Sequence, residues 1–195
     1  MGWPNTYVQG VYNSNNELLG IDDGNGTTRY IPYILSQSAT AGMSVTGTVT
    51  ETRIPIVPET GGSASKSILI PANCMGVNGK LRVTTLWNTG ATNANAKTVK
   101  LYLGENLAGA GGAQQIQLDL ANQAGLKHIF EFQNRGTISS NVRTSSFATS
   151  FGYVSPSSTL AIDFSVNTRL FFTVTLANAG DTVTLEAYTV EVLPF

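Results

Sequence analysis

The side chains that most often carry catalytic or metal-binding chemistry are scarce in this chain of 195 residues. Cysteine occurs once, as Cys74, so no disulfide can form within the chain and no thiolate cluster can bind zinc. Histidine also occurs once, as His128, and it alternates with Phe130 and Phe132. That spacing predicts a position at the edge of a core or in an interface rather than a catalytic base. We therefore expect no catalysis by histidine or cysteine and no metal or cofactor.

Charged residues are also few, since they make up 12% of the chain and the formal net charge at pH 7 is −1. No run of lysine or arginine occurs, so the sequence lacks the patch with which proteins neutralise nucleic-acid phosphates. No apolar run is long enough to cross a lipid bilayer as a helix. The sequence therefore predicts neither a nucleic acid nor a membrane as a partner.

Carboxylates are the remaining route to catalysis, and they form no recognisable pair. Asp119, Glu131 and Asp163 each lie between apolar neighbours, as outward-facing residues of amphipathic strands do, and Glu51 flanks a segment containing proline. The sequence DDGNG at residues 22–26 lacks the spacing and the distal glutamate of a calcium loop, and it predicts a turn. We expect no catalytic residue and no enzyme. The alternative, a glycan-degrading enzyme, would have to act through Glu131 or Asp163.

Glycine, threonine, serine and asparagine are abundant instead, and apolar residues recur at alternate positions. Residues 80–103 show this best, because the alternation continues on both sides of the polar loop NTGATNANA at residues 88–96. The alternating apolar residues there are Leu81, Val83, Trp87, Val99, Leu101 and Leu103. Successive side chains of a strand point to opposite faces, so the pattern predicts two strands with one buried face each.

The same pattern predicts roughly eight strands after residue 65, and no stretch has a sustained helical period. The predicted segments are 66–71, 80–87, 98–103, 114–120, 127–134, 158–164, 168–178 and 181–195. This number of strands favours an all-β fold, a jelly-roll or similar Greek-key β-sandwich. Its expected core consists of Leu81, Trp87, Leu101, Phe130, Phe132, Leu160, Ile162, Phe164, Phe172, Val174 and Leu185.

The last of these segments changes phase along its length. Val183 and Leu185 occupy one phase, whereas from Tyr188 onward the apolar residues occupy the other. A phase change within one strand predicts a β-bulge or a strand that passes from one sheet to the other.

The N-terminal residues 1–35 differ from the rest of the chain, since large aromatic side chains lie among Asn, Gly and Asp. These aromatic residues are Trp3, Tyr7, Tyr12, Tyr30 and Tyr33. Short apolar stretches separated by turn-forming residues predict a small three-stranded meander. Such a unit is marginally stable alone, so we expect it to be stabilised by a partner surface, with the five aromatic residues as docking anchors. The alternative is an ordinary strand pair that packs on its own sandwich.

Two parts of the chain are therefore predicted. Residues 1–60 form a β-rich attachment segment with a linker, in which residues 36–44 are small and polar, and residues 61–195 form the sandwich domain. Pro55 and Pro58 have no backbone donor, so their segment is expected at the edge of a sheet or between sheets.

The central stretch IPANCMGVNGKLRVTTLWNTGATNANAKTVKLYLGE, residues 70–105, resembles a β-sandwich domain that recurs in virion proteins of tailed bacteriophages. Cys74 and Met75 stand where serine and leucine are usual in that domain. The opening GVYNSNNELLGIDDGNGTTRYIPY, residues 10–33, is also similar to the N-terminal segment of many phage head and tail proteins. The resemblance implies a jelly-roll-like domain that assembles as a trimer, is attached to the particle by its N-terminal part, and has no catalytic residues.

The resemblance favours a capsid decoration (cement) or head-fibre type of protein. We expect it on the outer surface of the phage head, where a homotrimer would bind the major capsid protein and stabilise the assembled shell. The alternative is a tail- or fibre-associated module that binds a host-surface glycan. In that case exposed aromatic side chains around Trp87 or Tyr153 would stack on sugars.

Overall fold

The structure is a computed structural model that describes residues 9–12, 18–22, 28–30, 32–39, 43–47, 49–56, 67–105, 113–143 and 158–194, with the backbone alone for the first three ranges. Within these residues there is no helix, and thus none long and apolar enough to cross a membrane. The strands are β1 (Gln9–Tyr12), β2 (Leu18–Asp22), β3 (Thr28–Tyr30), β4 (Tyr33–Ser38), β5 (Ser44–Thr46), β6 (Thr52–Arg53), β7 (Ile68–Ile70), β8 (Lys80–Asn88), β9 (Lys97–Glu105), β10 (Ala113–Asp119), β11 (Gly125–Asn134), β12 (Asn141–Arg143), β13 (Ser158–Leu160), β14 (Thr168–Leu176) and β15 (Thr182–Leu193).

The first three strands form a separate antiparallel sheet in the order β1-β2-β3. Gly20 of β2 pairs with Val11 on one side and with Tyr30 on the other. The three-stranded meander predicted from the sequence is confirmed.

The remaining strands form two antiparallel sheets. The seven-stranded sheet has the order β13-β12-β11-β8-β15-β4, and β5 also pairs with β15. The five-stranded sheet has the order β10-β9-β14-β6, and β7 also pairs with β14. The two sheets enclose one hydrophobic core, so the all-β sandwich predicted from the sequence is confirmed.

The strand pairs are nested along the chain. The hairpin β9–β10 is innermost, followed outward by β8–β11, by β7 and β6 with β14, and by β5 and β4 with β15. The additional pairs β8–β15 and β9–β14 join these layers into the two sheets. Nested pairing of this kind favours the jelly-roll winding, which stays a prediction.

The core contains the side chains that alternation placed there. Of the predicted core residues all are buried except Leu160, which is partly buried and packs against the others. Trp87 of β8 meets Phe172 of β14 edge to face across the two sheets, with ring centroids 5.7 Å apart. Each large apolar side chain that leaves water in this way contributes about 1.5–3 kcal/mol, so this layer is the main source of stability.

The sandwich begins earlier in the chain than the predicted boundary near residue 60. Strands β4, β5 and β6 all pair with strands of the two sheets. For β4 and β5 the physical reason is the length of β15, which spans Thr182–Leu193 and offers a continuous edge to both strands, whereas β6 pairs with β14. Met43, Val45 and Ile54 then enter the core, a long-range contact that local pattern does not indicate.

Two finer predictions about strands are confirmed. The register of β15 against β8 shifts between Leu185 and Ala187, so Glu186 is the extra residue of a bulge and both Leu185 and Tyr188 are buried. The strand β6, which precedes Pro55, lies at the edge of the five-stranded sheet, whereas Pro58 lies outside the described residues.

Candidate attachment surfaces

The five predicted docking residues lie in different parts of the chain. Trp3 and Tyr7 fall outside the described residues. Tyr12 ends β1 and Tyr30 ends β3, the two strands that flank β2 in the N-terminal sheet. Tyr33 begins β4, where it pairs with Val192, is half-buried and packs against the sandwich core. The structure therefore assigns Tyr33 to the sandwich and leaves the docking role of all five as a prediction.

Cys74 lies in the turn between β7 and β8 and is half-buried. Burial raises the pKa of its thiol to about 11, and a hydrogen bond with Tyr33 offsets only part of that increase. A thiol of this kind is protonated at neutral pH and therefore is not an activated nucleophile.

Native Cys74 is accordingly expected to react slowly with iodoacetamide. Near pH 8 its thiolate population is about a hundredfold smaller than that of a thiol with an ordinary pKa, so alkylation of the folded protein should be at least about tenfold slower than of the protein in guanidinium chloride. Mass spectrometry of timed samples measures both rates. Equal rates in the two states would show that the thiol is neither buried nor raised in pKa.

The outer face of the seven-stranded sheet carries three of the large hydrophobic side chains that remain exposed. They are Ile34 on β4, Leu86 on β8 and Ile129 on β11, each about half exposed. Leu86 pairs with Lys127 and Ala187, so Leu86 and Ile129 are diagonal neighbours on adjacent strands. We call Leu86, Ile129 and Ala187 the outer patch.

Beside the outer patch the same face carries a row of paired charges. The carboxylate of Glu131 accepts hydrogen bonds from Nε of Arg82 at 2.9 Å and from Nζ of Lys80 at 3.2 Å, and Arg82 lies 3.8 Å from Glu191. Partial burial raises the pKa of Glu131, but the bonds from Arg82 and Lys80 outweigh that effect and the net shift is downward. Glu131 is thus a partner in a surface ion-pair row.

Asp163, the other carboxylate considered for catalysis, stabilises a turn. Its Oδ1 accepts the backbone N–H of Ser165 at 2.8 Å, and hydrogen bonding by Ser165 lowers the pKa of the carboxyl. Within the described residues, moreover, no three His, Cys, Asp or Glu side chains come together as a metal site would require.

The outer face of the five-stranded sheet has a cluster that the sequence did not indicate. Phe171 stacks on Tyr102 with ring centroids 4.9 Å apart and planes 2° from parallel, and the Arg53 guanidinium lies 3.7 Å from the Phe171 ring centre. Glu51 accepts hydrogen bonds from Lys100 and Tyr102 on the same face. One sequence feature could have predicted an aromatic side chain on this outer face, namely the adjacent phenylalanines at 171 and 172. Neighbouring side chains of a strand point to opposite faces, so one of the two must point outward.

The segment NANAK, residues 93–97 of the phage-like stretch, forms a partly buried polar network around Lys97. Lys97 is completely buried, and its Nζ donates to the side-chain oxygen of Asn93 and, at 3.4 Å, to the backbone oxygen of Asn95. The side-chain amides of Asn93 and Asn95 donate in turn to the two oxygens of Asp181, at 2.8 and 2.9 Å. These residues join the β8–β9 loop to the β14–β15 loop, so the segment specifies a corner of the fold.

The NG pair earlier in the same stretch is also structural. A Cβ atom at Gly79 would overlap the carbonyl oxygen of Met75, so the backbone approaches there too closely for any other residue. Gly79 and the NANAK segment, two parts of the stretch with the phage resemblance, therefore have a folding role.

His128 is buried on the inner face of β11, with its ring 4.2 Å from that of Phe130, as its spacing predicted. Trp87 is also buried, and its indole N–H donates to Oγ1 of Thr85 at 2.9 Å. Its ring is part of the core, as the alternation predicted, so it is not itself one of the exposed aromatic side chains that the glycan-binding alternative requires. Tyr153, the other residue named for that alternative, lies outside the described residues.

The chain has a weak structural neighbour among solved structures, whereas no protein-family model and no curated protein matches it. Among solved structures, the structure of infectious bursal disease virus, Gx strain, aligns with 96% of this chain at 13% identity and a TM-score of 0.24. The alignment covers 47% of that chain, so this protein spans about half its length.

Proposed function

We propose that this protein is a structural virion component, a decoration protein that binds the outer surface of a tailed-phage head through its N-terminal sheet. The observation that carries the proposal is the separation of β1–β3 from the two sandwich sheets in strand pairing. Three short strands are marginally stable without a surface to pack on, and the assembled shell would provide one. The resemblance of residues 10–33 and 70–105 to phage virion domains supports the same role.

The sandwich is the body of the proposed decoration protein, and three copies would associate on the particle. The outer patch supports such association, because Leu86 and Ile129 expose apolar surface that a neighbouring copy would remove from water. The paired charges of Arg82 and Glu131 beside it would form the polar rim of that contact.

Stabilisation of the shell follows from linkage. A protein that binds the assembled shell but not its free subunits lowers the free energy of the assembled state, by about 2.7 kcal/mol per site at a free concentration one hundred times the dissociation constant. The effect is summed over many sites, so modest affinity for each site is sufficient.

The test is a variant that lacks residues 1–31, since the first sandwich strand begins at Tyr33. We expect it to keep the β-sheet circular dichroism and cooperative unfolding of the full chain but to lose binding to purified, undecorated heads in co-sedimentation. Full binding by the truncated variant would refute attachment through the N-terminal sheet.

The proposed trimer is tested separately. Sedimentation equilibrium of the full chain is expected to give three times the protomer mass of 20.6 kDa.

Cryo-electron microscopy of the particle that encodes the chain places the protein directly. Threefold knobs over the head, with the N-terminal sheet against the shell, are expected. Density confined to the tail would instead favour the alternative, a module that binds host-surface glycans.

A further inference from the structure

We propose that Glu51 is a proton-sensitive latch, which holds the edge strand β6 on the five-stranded sheet and releases it when the carboxylate is protonated. The proposal concerns the sandwich alone and does not depend on the virion role.

The backbone attachment of β6 is short. Two residues of β6 pair with β14, Thr52 with Val174 and Arg53 with Thr173, and the next amide, that of Ile54, donates to the carbonyl oxygen of Phe172 at 3.0 Å. Pro55 follows and has no amide hydrogen to extend the pairing. Because the backbone bonds are few, side-chain contacts contribute much of the attachment of β6 to the sheet.

Glu51 reaches from the start of β6 across β14 to β9. Its Oε1 accepts hydrogen bonds from Thr173 Oγ1 at 2.7 Å and from Tyr102 Oη at 2.8 Å, and its Oε2 accepts one from Lys100 Nζ at 2.7 Å. All three bonds require a hydrogen-bond acceptor, and the bond to Lys100 also requires a negative charge for its full strength. Protonation converts one acceptor oxygen into a donor and removes the charge.

Arg53 gives a second side-chain attachment of β6, which does not involve Glu51. Its guanidinium lies over Phe171, and Phe171 stacks on Tyr102, so Tyr102 contributes to both attachments. This stack contains no carboxylate, so protonation of Glu51 weakens only the first of the two side-chain attachments of β6. Ile54 and Ile56 lie buried just beyond β6, and release of the strand would expose them at the open edge of β14.

The charges around Glu51 set the direction of the pH response. Lys100 and Tyr102 contact its carboxylate from β9, and Arg53 lies on β6 over Phe171. Arg169 alternates with Phe171 and Thr173 on β14, so it lies on the same face. Partial burial raises the pKa of Glu51, but the bonds from Lys100, Thr173 and Tyr102 together lower it below its ordinary value. A carboxyl whose folded pKa is depressed stabilises the fold above its unfolded pKa, and that contribution disappears as the pH falls through the folded pKa. The latch is therefore closed at neutral pH and opens in acid.

The test is hydrogen exchange of residues 50–56 in the full chain, read by mass spectrometry and corrected for intrinsic rates. At neutral pH, Glu51→Gln is expected to speed exchange in this segment by about tenfold or more, with β8 and β15 unchanged. Tyr102→Phe keeps the ring stack and removes one bond, so it should give a smaller increase. Glu191→Gln, on the outer face of the other sheet, is the matched control and should leave residues 50–56 unchanged.

Acidification gives the second measurement. The wild-type segment should lose protection as the pH falls to about 4 and below, whereas Glu51→Gln should show little further change. Wild-type protection of residues 50–56 in Glu51→Gln, or the same pH response in both proteins, would overturn the latch. A uniform rise in exchange over β8 and β15 would also overturn it, because Glu51 would then support the whole fold rather than one strand.

Discussion

Replacement of Lys97 by alanine is expected to lower the free energy of unfolding by about 3–4 kcal/mol, which corresponds to a fall in melting temperature of roughly 10 °C. The side chain is completely buried, so alanine leaves a cavity where the three methylene groups beyond Cβ and the ammonium group lay. It also removes the ammonium group that donates to the side-chain oxygen of Asn93 and to the backbone oxygen of Asn95.

A second variant separates the two contributions. Lys97→Met keeps most of the buried stem and removes the ammonium group, so it should cost about 1–3 kcal/mol, the range for a buried polar group left without its partner. Lys127→Ala, on the exposed side of β11, is the matched control and should change stability by less than about 0.5 kcal/mol. Urea unfolding at neutral pH measures all three. Equal stability of Lys97→Met and wild type would show that the network contributes only packing.

The same network predicts a pH dependence. Hydrogen bonds from Asn93 lower the pKa of Asp181, desolvation opposes them, and Asn95 and the charge of Lys97 add to the lowering. Because the folded pKa is depressed, the contribution of Asp181 is present above its unfolded pKa and is lost as the pH falls. The difference in stability between wild type and Asp181→Asn is therefore expected to shrink on acidification. A difference that stays constant from neutral to acidic pH would contradict a role for the carboxylate charge.

Asn141→Ala is the other change with a large expected effect, about 3 kcal/mol or more of lost stability. Asn141 is completely buried, and its Nδ2 donates to Oδ1 of Asn134 at 2.8 Å and to the carbonyl oxygen of Ile162 at 3.2 Å. Its Oδ1 accepts the N–H of Ile162 at 2.9 Å, and Asn134 donates on to the carbonyl oxygen of Gly76 at 2.6 Å. Alanine leaves several of these groups buried without partners.

The control for this prediction is Gln133→Ala, since Gln133 is the exposed neighbour of Asn134 on β11, and its loss should be nearly neutral. Asn141→Asp is more specific, because a carboxylate would face two oxygens to which the amide donated. Its folded pKa should be raised, so the variant should be least stable at neutral pH and recover partly in acid. Thermal unfolding of Asn141→Asp that does not improve at low pH would refute this account of the bonds.

The features that followed from the sequence are those governed by neighbouring residues. Alternation located the long strands and the buried side chains of Trp87 and Phe172, because a strand presents one face to the core whatever its partners. The change of phase after Leu185 indicated the bulge at Glu186, since an extra residue must shift every later side chain to the other face. Pro55 indicated an edge strand for the same local reason, its missing amide hydrogen.

Pairing across the chain was decided only by the tertiary structure. The strands β8 and β9 are neighbours in sequence, yet they lie in different sheets, because β8 pairs with β11 and β15 while β9 pairs with β10 and β14. Strand β4 pairs with β15, which lies far away in the sequence. Tyr33 therefore belongs to the sandwich and not to the predicted attachment segment. No local pattern encodes which of several similar strands will lie side by side.

The same limit applies to the polar clusters. Glu51 and Lys100 are 49 residues apart and Asn93 and Asp181 are 88 apart, so their bonds exist only once the sheets have formed. The sequence by itself determined the all-β class, the inner faces and the three-stranded N-terminal sheet, since these depend on side-chain period and turn residues. The tertiary structure decided the strand order, the latch on β6 and the two asparagine networks, because each requires distant segments of the chain to meet at hydrogen-bond distance.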